Sequence, residues 1–165
     1  MSVRVKTERY VAHLSWTGSR GAGTASYTEY DRSYRVRIDG KPAIEGSASP
    51  TFRGDPRVHN PEDLFLAAIA SCHMLAYLAL CANSGVRVLA YEDEAVGILA
   101  LGSGREGRFR EVALSPVVTL AAGADEAKAL RLHEAAHERC FIANSCSVPI
   151  VVRPRIEVER LQHGP

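Results

Sequence analysis

Two cysteines stand out by position among the residues of this chain that could do chemistry. Cys72 lies in the middle of a long apolar segment, residues 60–83, and Cys140 closes a second helical segment, residues 125–140. A cysteine within an apolar helix can be simple packing or a protected reactive thiol, because free cysteine is among the most buried residue types. The pattern allows inert thiols, a redox pair or metal ligands.

A metal site is the alternative use of the second helical segment. His133, His137 and Cys140 share one face of the predicted helix, and His73 could add a fourth ligand. However, the sequence contains no Cys-x-x-Cys motif, and histidine pairs on helices are more often surface residues. We keep zinc as a minor alternative and expect no metal and no cofactor.

The long segment that carries Cys72 is predicted to be a helix with a defined start and end. Asn60 is a good N-cap, Pro61 suits the first helical position, and Gly85 follows the last helical residue. Because almost nothing between the caps is polar, we expect the helix to be buried on most of its circumference. The caps and the acidic residues after Pro61 argue against a membrane span.

Short strands are predicted before and after this helix. They cover residues 8–16, 24–30, 33–38 and 43–47 before it, and 86–101, 108–121 and 150–158 after it. Asp39-Gly40 and Gly102–Gly107 are predicted hairpin turns. The chain therefore reads as a single α+β domain, residues 1–165, with antiparallel sheets packed against two main helices, the long one central and buried.

Composition limits the partners and the location that we expect. The 165 residues carry 20 Lys and Arg against 19 Asp and Glu, and the basic residues are scattered, which argues against nucleic acid. Four cysteines in a chain of this kind do not indicate a disulfide scaffold. The N-terminal residues lack the apolar stretch of a signal peptide, so we expect a cytoplasmic protein.

Three elements of the sequence resemble the OsmC/Ohr family of hydroperoxide-detoxifying proteins. The first is Asn60-Pro61-Glu62-Asp63-Leu64-Phe65, followed by the helix with Cys72, and the second is the helix that ends in Cys140. The third is Ser19-Arg20-Gly21-Ala22-Gly23-Thr24, which resembles the Arg-Gly-x-Gly-Thr loop near the N-terminus of family members. The resemblance covers about residues 14–158 in the same order.

The resemblance implies a two-cysteine peroxidase that reduces organic hydroperoxides to alcohols. Cys72 is then the thiolate that attacks the peroxide, and Cys140 resolves the resulting sulfenic acid as a disulfide. Arg20 is expected to stabilise the Cys72 thiolate and to orient the peroxide, with Glu62 holding Arg20. The family also implies an intertwined homodimer and recycling by a dithiol reductant such as a lipoylated protein.

Departures from the family pattern indicate a divergent branch. The usual Cys-Pro-x-Ser after the second cysteine is replaced by Cys140-Phe141-Ile142-Ala143, and Ser71-Cys72-His73 also differs from the common form. Cys81 is predicted to be core, and Cys146 is a bystander that could substitute for Cys140. The alternative function is a non-catalytic small-molecule-binding module with the same fold, in which Cys72 is buried and unreactive.

Overall fold

The computed structural model of the protein describes residues 6–102 and 107–159. The chain divides into two compact units, residues 1–64 and 65–165. The described part of the first unit contains one small sheet and the start of the long helix. The described part of the second unit contains the rest of that helix, a second helix and two further sheets.

Three short antiparallel strands form the sheet of the first unit: β1 (His13–Trp16), β2 (Tyr34–Arg37) and β3 (Ile44–Gly46). Tyr34 pairs with Trp16 on one side and with Gly46 on the other. Gly46 must lack a side chain, because an added Cβ would lie 2.2 Å from the Tyr34 ring. The predicted meander is therefore present, with strands shorter than expected.

Residues 24–30 form turns, so the strand predicted there is wrong. The amide of Thr28 donates to Ser26 Oγ at 3.3 Å, and the amide of Glu29 donates to Ser26 O at 3.2 Å. Such local bonds give the backbone an alternative to a strand ladder. The guanidinium of Arg32 also lies over the rings of Tyr27 and Tyr30, at 4.3 and 4.1 Å from their centroids.

Both predicted helices are confirmed, as α1 (Pro61–Asn83) and α2 (Glu126–Arg139). The start of α1 is a reciprocal cap: Asp63 N donates to Asn60 Oδ1 at 2.9 Å, and Asn60 N donates to Asp63 Oδ2 at 3.1 Å. Gly85, with φ of 73°, follows its end in the left-handed conformation. At the start of α2, Asp125 Oδ1 accepts from Lys128 N at 2.9 Å.

Six strands build the two sheets of the second unit. They are β4 (Val88–Asp93), β5 (Val96–Leu101), β6 (Gly107–Leu114), β7 (Pro116–Leu120), β8 (Ile150–Val152) and β9 (Arg155–Val158). The sheet orders are β4-β7-β9 and β5-β6-β8. The β4–β7 and β5–β6 pairs are antiparallel, whereas β8 and β9 add in parallel, so the sheets are mixed and not wholly antiparallel as predicted.

Three sequence segments predicted as single strands are each divided in two. Residues 86–101 become β4 and β5, 108–121 become β6 and β7, and 150–158 become β8 and β9. The division lets β6 and β7 enter different sheets. The centre of the predicted hairpin loop, residues 103–106, lies outside the described residues.

The two helices pack against each other in antiparallel directions. Lys128 Nζ, near the start of α2, donates to Ser84 O just beyond the end of α1 at 2.6 Å. One and a half turns further along α2, the ring of His133 stacks on Tyr77 with centroids 3.8 Å apart. This direction of packing brings the C-terminal end of α2 toward the middle of α1, where Cys72 lies.

Helix α1 buries one side chain stripe within the chain, and not most of its circumference as expected. The fully buried residues recur every four positions: Ile69, His73, Tyr77 and Cys81. They pack against α2 and the second unit's sheets, and flanking residues such as Leu78 and Leu80 are half-buried. On another side, Leu75 is 63% exposed. Among the described residues, α1 is the one helix that is long and apolar enough to cross a membrane, judged by length and composition alone. Core helices also pass this test.

The capping bond of α2 gives a first prediction, for Asp125→Ala. Loss of the bond to Lys128 N leaves a helix amide without its partner, so the free energy of unfolding should fall by about 1 kcal/mol. Urea denaturation followed by circular dichroism measures the change. Asp125→Asn, which keeps the accepting oxygen, is the matched control and should remain close to the original stability; equal losses in both variants would contradict the capping role.

Candidate functional site

The structure brings Cys72 and Cys140 together. Cys72 lies near the middle of α1, half-buried, and Cys140 is the buried residue that directly follows α2. Cys72 is close enough to act on the pKa of Cys140, and both thiols are free. The antiparallel packing of the helices brings these two residues, 68 positions apart in the sequence, near each other.

The surroundings of Cys140 favour its neutral thiol. Burial raises the pKa of Cys140, the amide of Ala143 opposes this by donating to Sγ at 3.4 Å, and the neighbouring Cys72 raises the pKa again. The Ala143 bond is made possible by the 3-10 turn that follows α2, Ala143–Ser145. The segment that departs from the family's Cys-Pro-x-Ser pattern thus places a hydrogen-bond donor on the Cys140 sulfur.

Arg20 lies in the first unit, in the exposed glycine-rich loop. Its Nε donates to Asp31 Oδ2 at 2.9 Å, and its terminal nitrogen pairs with the second oxygen of the same carboxylate. This bidentate pair raises the pKa of Arg20 and lowers the pKa of Asp31. The expected Arg20–Glu62 pair is therefore not formed within the chain, because Asp31 occupies the guanidinium.

Glu62 lies in the first turn of α1, beside the phenol of Tyr34. Burial raises the pKa of Tyr34, and the charges of Glu62 and Asp63 raise it further. Glu62 Oε2 is buried and has no hydrogen-bond partner among the described residues. A buried carboxylate oxygen is costly to leave unpaired, so Glu62 has capacity for a cation or a donor.

A buried imidazole pair lies between α1 and α2, and sequence reasoning missed it. His73 Nε2 and His133 Nδ1 are 3.1 Å apart, and the residues are 1% and 2% exposed. We expected helical histidines to be at the surface, which is wrong for these two. The signal available in the sequence was their position: His73 shares the stripe of Tyr77 and Cys81, and His133 shares that of Ala129 and Ala136.

Both imidazoles of this pair are neutral at neutral pH. Burial lowers the pKa of His73 to about 4, with a smaller contribution from His137. Burial likewise lowers the pKa of His133 to about 4, with a smaller contribution from His73. The mutual bond uses His73 Nε2 and His133 Nδ1, and one of these two nitrogens donates. The other two ring nitrogens, His73 Nδ1 and His133 Nε2, are buried and have no hydrogen-bond partner among the described residues.

The remaining cysteines occupy different surroundings. Cys81 is core, as predicted, and burial raises its pKa. Cys146 is half-buried, and its thiol donates to Ala143 O at 3.4 Å. Cys146 therefore touches the same residue that donates to the Cys140 sulfur. Its role as a substitute for Cys140 stays a prediction.

The zinc alternative joined His73, His133, His137 and Cys140. In residues 6–102 and 107–159, no three His, Cys, Asp or Glu side chains are grouped so that they could hold a metal ion. The Nδ1 atom of His133 is engaged with His73 rather than open to a ligand. The complete four-ligand site is not assembled.

The chain belongs to the OsmC-like protein family, whose model matches residues 54–155. An OsmC-like protein of unknown function from Vibrio cholerae is 31% identical to it, with a TM-score of 0.80 over 90% of this chain and 99% of that one. The predicted family and fold are therefore confirmed. No curated protein sequence matches the chain.

Two other solved structures share the fold at lower identity. An organic hydroperoxide resistance protein OsmC from Legionella pneumophila is 19% identical, with a TM-score of 0.68 over 93% of this chain and 100% of that one. An organic hydroperoxide resistance protein from Elizabethkingia anophelis is 20% identical, with a TM-score of 0.64 over the same shares. At these identities the likeness establishes the fold alone.

The buried imidazole pair predicts a loss of stability in mild acid. Since the pKa of both histidines is lowered on folding, the unfolded chain binds more protons between about pH 6.5 and pH 4. The free energy of unfolding should therefore fall, by about 2 kcal/mol or more, as the pH drops from about 7 to 4.5. Urea denaturation at a series of pH values measures the slope.

A double variant, His73→Gln with His133→Gln, separates this pair from other titrating groups. It should be less stable at pH 7 but much less sensitive to acid over the same range. His13→Gln, at an exposed position of β1, is the control and should keep the original slope. An unchanged slope in the double variant would show that other groups cause the acid sensitivity.

Proposed function

We propose that the protein is a thiol-dependent peroxidase that reduces organic hydroperoxides to alcohols through Cys72 and Cys140. The proximity of these two thiols across the α1–α2 interface, where Cys72 raises the pKa of Cys140, is the observation that carries the proposal. Membership of the OsmC-like family agrees with it. The side chains around the pair on α1, such as Ile69, Leu75 and Ala76, are apolar and suit an organic peroxide.

In the first step, the Cys72 thiolate attacks the terminal oxygen of the hydroperoxide. The S–O bond forms, the O–O bond breaks, and the departing alkoxide takes up a proton to become the alcohol. Cys72 is then a sulfenic acid. The half-buried position leaves part of the Cys72 side chain accessible to the peroxide.

In the second step, Cys140 closes the disulfide. Its sulfur attacks the sulfur of Cys72, and the hydroxyl of the sulfenic acid leaves with the Cys140 proton as water. The raised pKa of Cys140 keeps its proton in place until the sulfenic acid has formed. A dithiol then reduces the disulfide by exchange and is itself oxidised, which returns both thiols.

In our proposal, Arg20 supplies the positive charge that stabilises the reacting thiolate, and Glu62 holds the Arg20 guanidinium in place. The Arg20–Asp31 pair is exposed, and exposed ion pairs contribute at most about 1 kcal/mol, so exchange of partners costs little. The buried, unpaired Oε2 of Glu62 is a suitable new acceptor. The guanidinium would then stabilise the thiolate, and either this chain or a second copy can supply it.

We also propose that the protein acts as a homodimer, in which a second copy covers α1. The exposed side of this helix is formed by apolar and small residues at helical spacing: Ala67, Ser71, Leu75, Ala79 and Ala82. Exposed apolar helix surface next to a reactive thiol costs free energy in water and favours association. A partner there would also shield the thiols from solvent.

A thiol titration tests the peroxidase proposal. One equivalent of cumene hydroperoxide should remove two of the four thiols, with one equivalent of cumyl alcohol formed. Cys72→Ser should lose none, and Cys140→Ser should stop at a sulfenic acid that dimedone traps. Cys81→Ser, at a buried position of the same helix, is the matched control and should still lose two.

Failure to consume peroxide would favour the alternative function, a binding module with an unreactive Cys72. Loss of two thiols in the Cys72→Ser variant would instead assign the chemistry to other cysteines. Either result contradicts the proposed role of Cys72.

Sedimentation equilibrium tests the dimer. The protein should sediment as a dimer at micromolar concentration, and Leu75→Glu should shift it toward monomer, because a charge at this exposed apolar position must be desolvated in the interface. Ala127→Glu, at an exposed position of α2, is the control and should remain dimeric. A monomeric wild-type protein would contradict the proposal.

A further inference from the structure

A surface cavity of about 490 Å³ lies between α2 and the β8–β9 segment. Two imidazoles and two carboxylates of α2 line it: His133, His137, Glu134 and Glu138. The remaining lining residues are apolar or proline. The proposed peroxidase chemistry uses none of these four side chains.

All four residues belong to one stretch of α2, His133-Glu134-Ala135-Ala136-His137-Glu138. Residues four apart on a helix are neighbours on one face, so both histidines face the same region. Two histidines with this His-Glu-x-x-His spacing are a known way to bind zinc from a helix. The motif is short, and by itself it occurs often without metal.

The environment of His133 is the second, independent observation. The residue is 2% exposed, and its Nε2 has no hydrogen-bond partner among the described residues. Its Nδ1 bonds to His73 Nε2 at 3.1 Å, and its ring stacks on Tyr77 at 3.8 Å. Metal-binding histidines are commonly held in this way, with one ring nitrogen fixed by a neighbour and the other open.

We propose that His133 Nε2 and the imidazole of His137 form a two-histidine site for a divalent transition-metal ion such as zinc. Water fills the remaining positions. Imidazole is a favoured ligand of such ions. Because no third protein ligand is already grouped with these two among the described residues, the site is a reversible binding site and not a structural one.

The site differs from the zinc alternative raised by the sequence. His73 supports His133 and is not a ligand, and Cys140 is a neighbour of Cys72. Cys140 nevertheless lies only three residues beyond His137, and thiolates bind the same ions. A test must therefore separate binding by imidazole from binding by sulfur.

Calorimetric titration of the reduced, untagged full chain with Zn²⁺ measures the site. We expect one ion per chain, with unchanged affinity in the double variant Cys72→Ser with Cys140→Ser. His137→Ala should weaken binding by at least about tenfold. His59→Ala, at an exposed position of the first unit, is the control and should bind as the wild type does. No binding, or unchanged binding in His137→Ala, would overturn the proposal.

Co²⁺ absorption gives a second measurement, which needs no variant of the buried His133. Nitrogen and oxygen ligation produces weak visible bands, whereas thiolate ligation adds intense near-ultraviolet charge-transfer bands. We expect the weak visible bands without the near-ultraviolet charge-transfer bands. Sulfur charge-transfer bands that vanish in the double cysteine variant would assign the ion to Cys72 and Cys140 and overturn the histidine site. Neither measurement depends on peroxidase activity.

Discussion

The antiparallel packing of α1 on α2 is the constraint on which the candidate site depends. It extends from the hydrogen bond between Lys128 and Ser84 at one end to the neighbouring thiols of Cys140 and Cys72 at the other. Each helix alone places its cysteine on an apolar face, which is compatible with inert packing. The pairing of the helices makes neighbours of a half-buried and a buried thiol, and this proximity is what makes disulfide chemistry available.

The same interface contains polar groups that a purely apolar core would avoid. The His73–His133 pair lies between the helices, with one nitrogen of each ring left without a partner among the described residues. Such groups cost stability unless something compensates them. They therefore mark a part of the interface that packing alone does not explain, and His133 also lines the cavity between α2 and the β8–β9 segment.

Much of this arrangement could be predicted from local sequence. The caps at Asn60 and Asp125 specify where the helices begin, and the resemblance to the OsmC/Ohr family implied that Cys72 and Cys140 form a pair. Three kinds of feature could not be predicted. Residues 24–30 form turns although their alternation is typical of a strand. The parallel pairing of β8 and β9 depends on strands that are distant in sequence. The pairing of Arg20 with Asp31 depends on the geometry of the loop. Each depends on contacts that periodicity does not encode.

Mass-spectrometric mapping of the disulfide in the peroxide-oxidised protein tests the central claim most directly. Trypsin should release residues 58–87 and 140–155, each with two cysteines, so fragmentation must locate the linked positions. The account predicts that the two peptides are joined through Cys72 and Cys140. A bond between Cys140 and Cys146 within one peptide, or a Cys81 linkage, would contradict it.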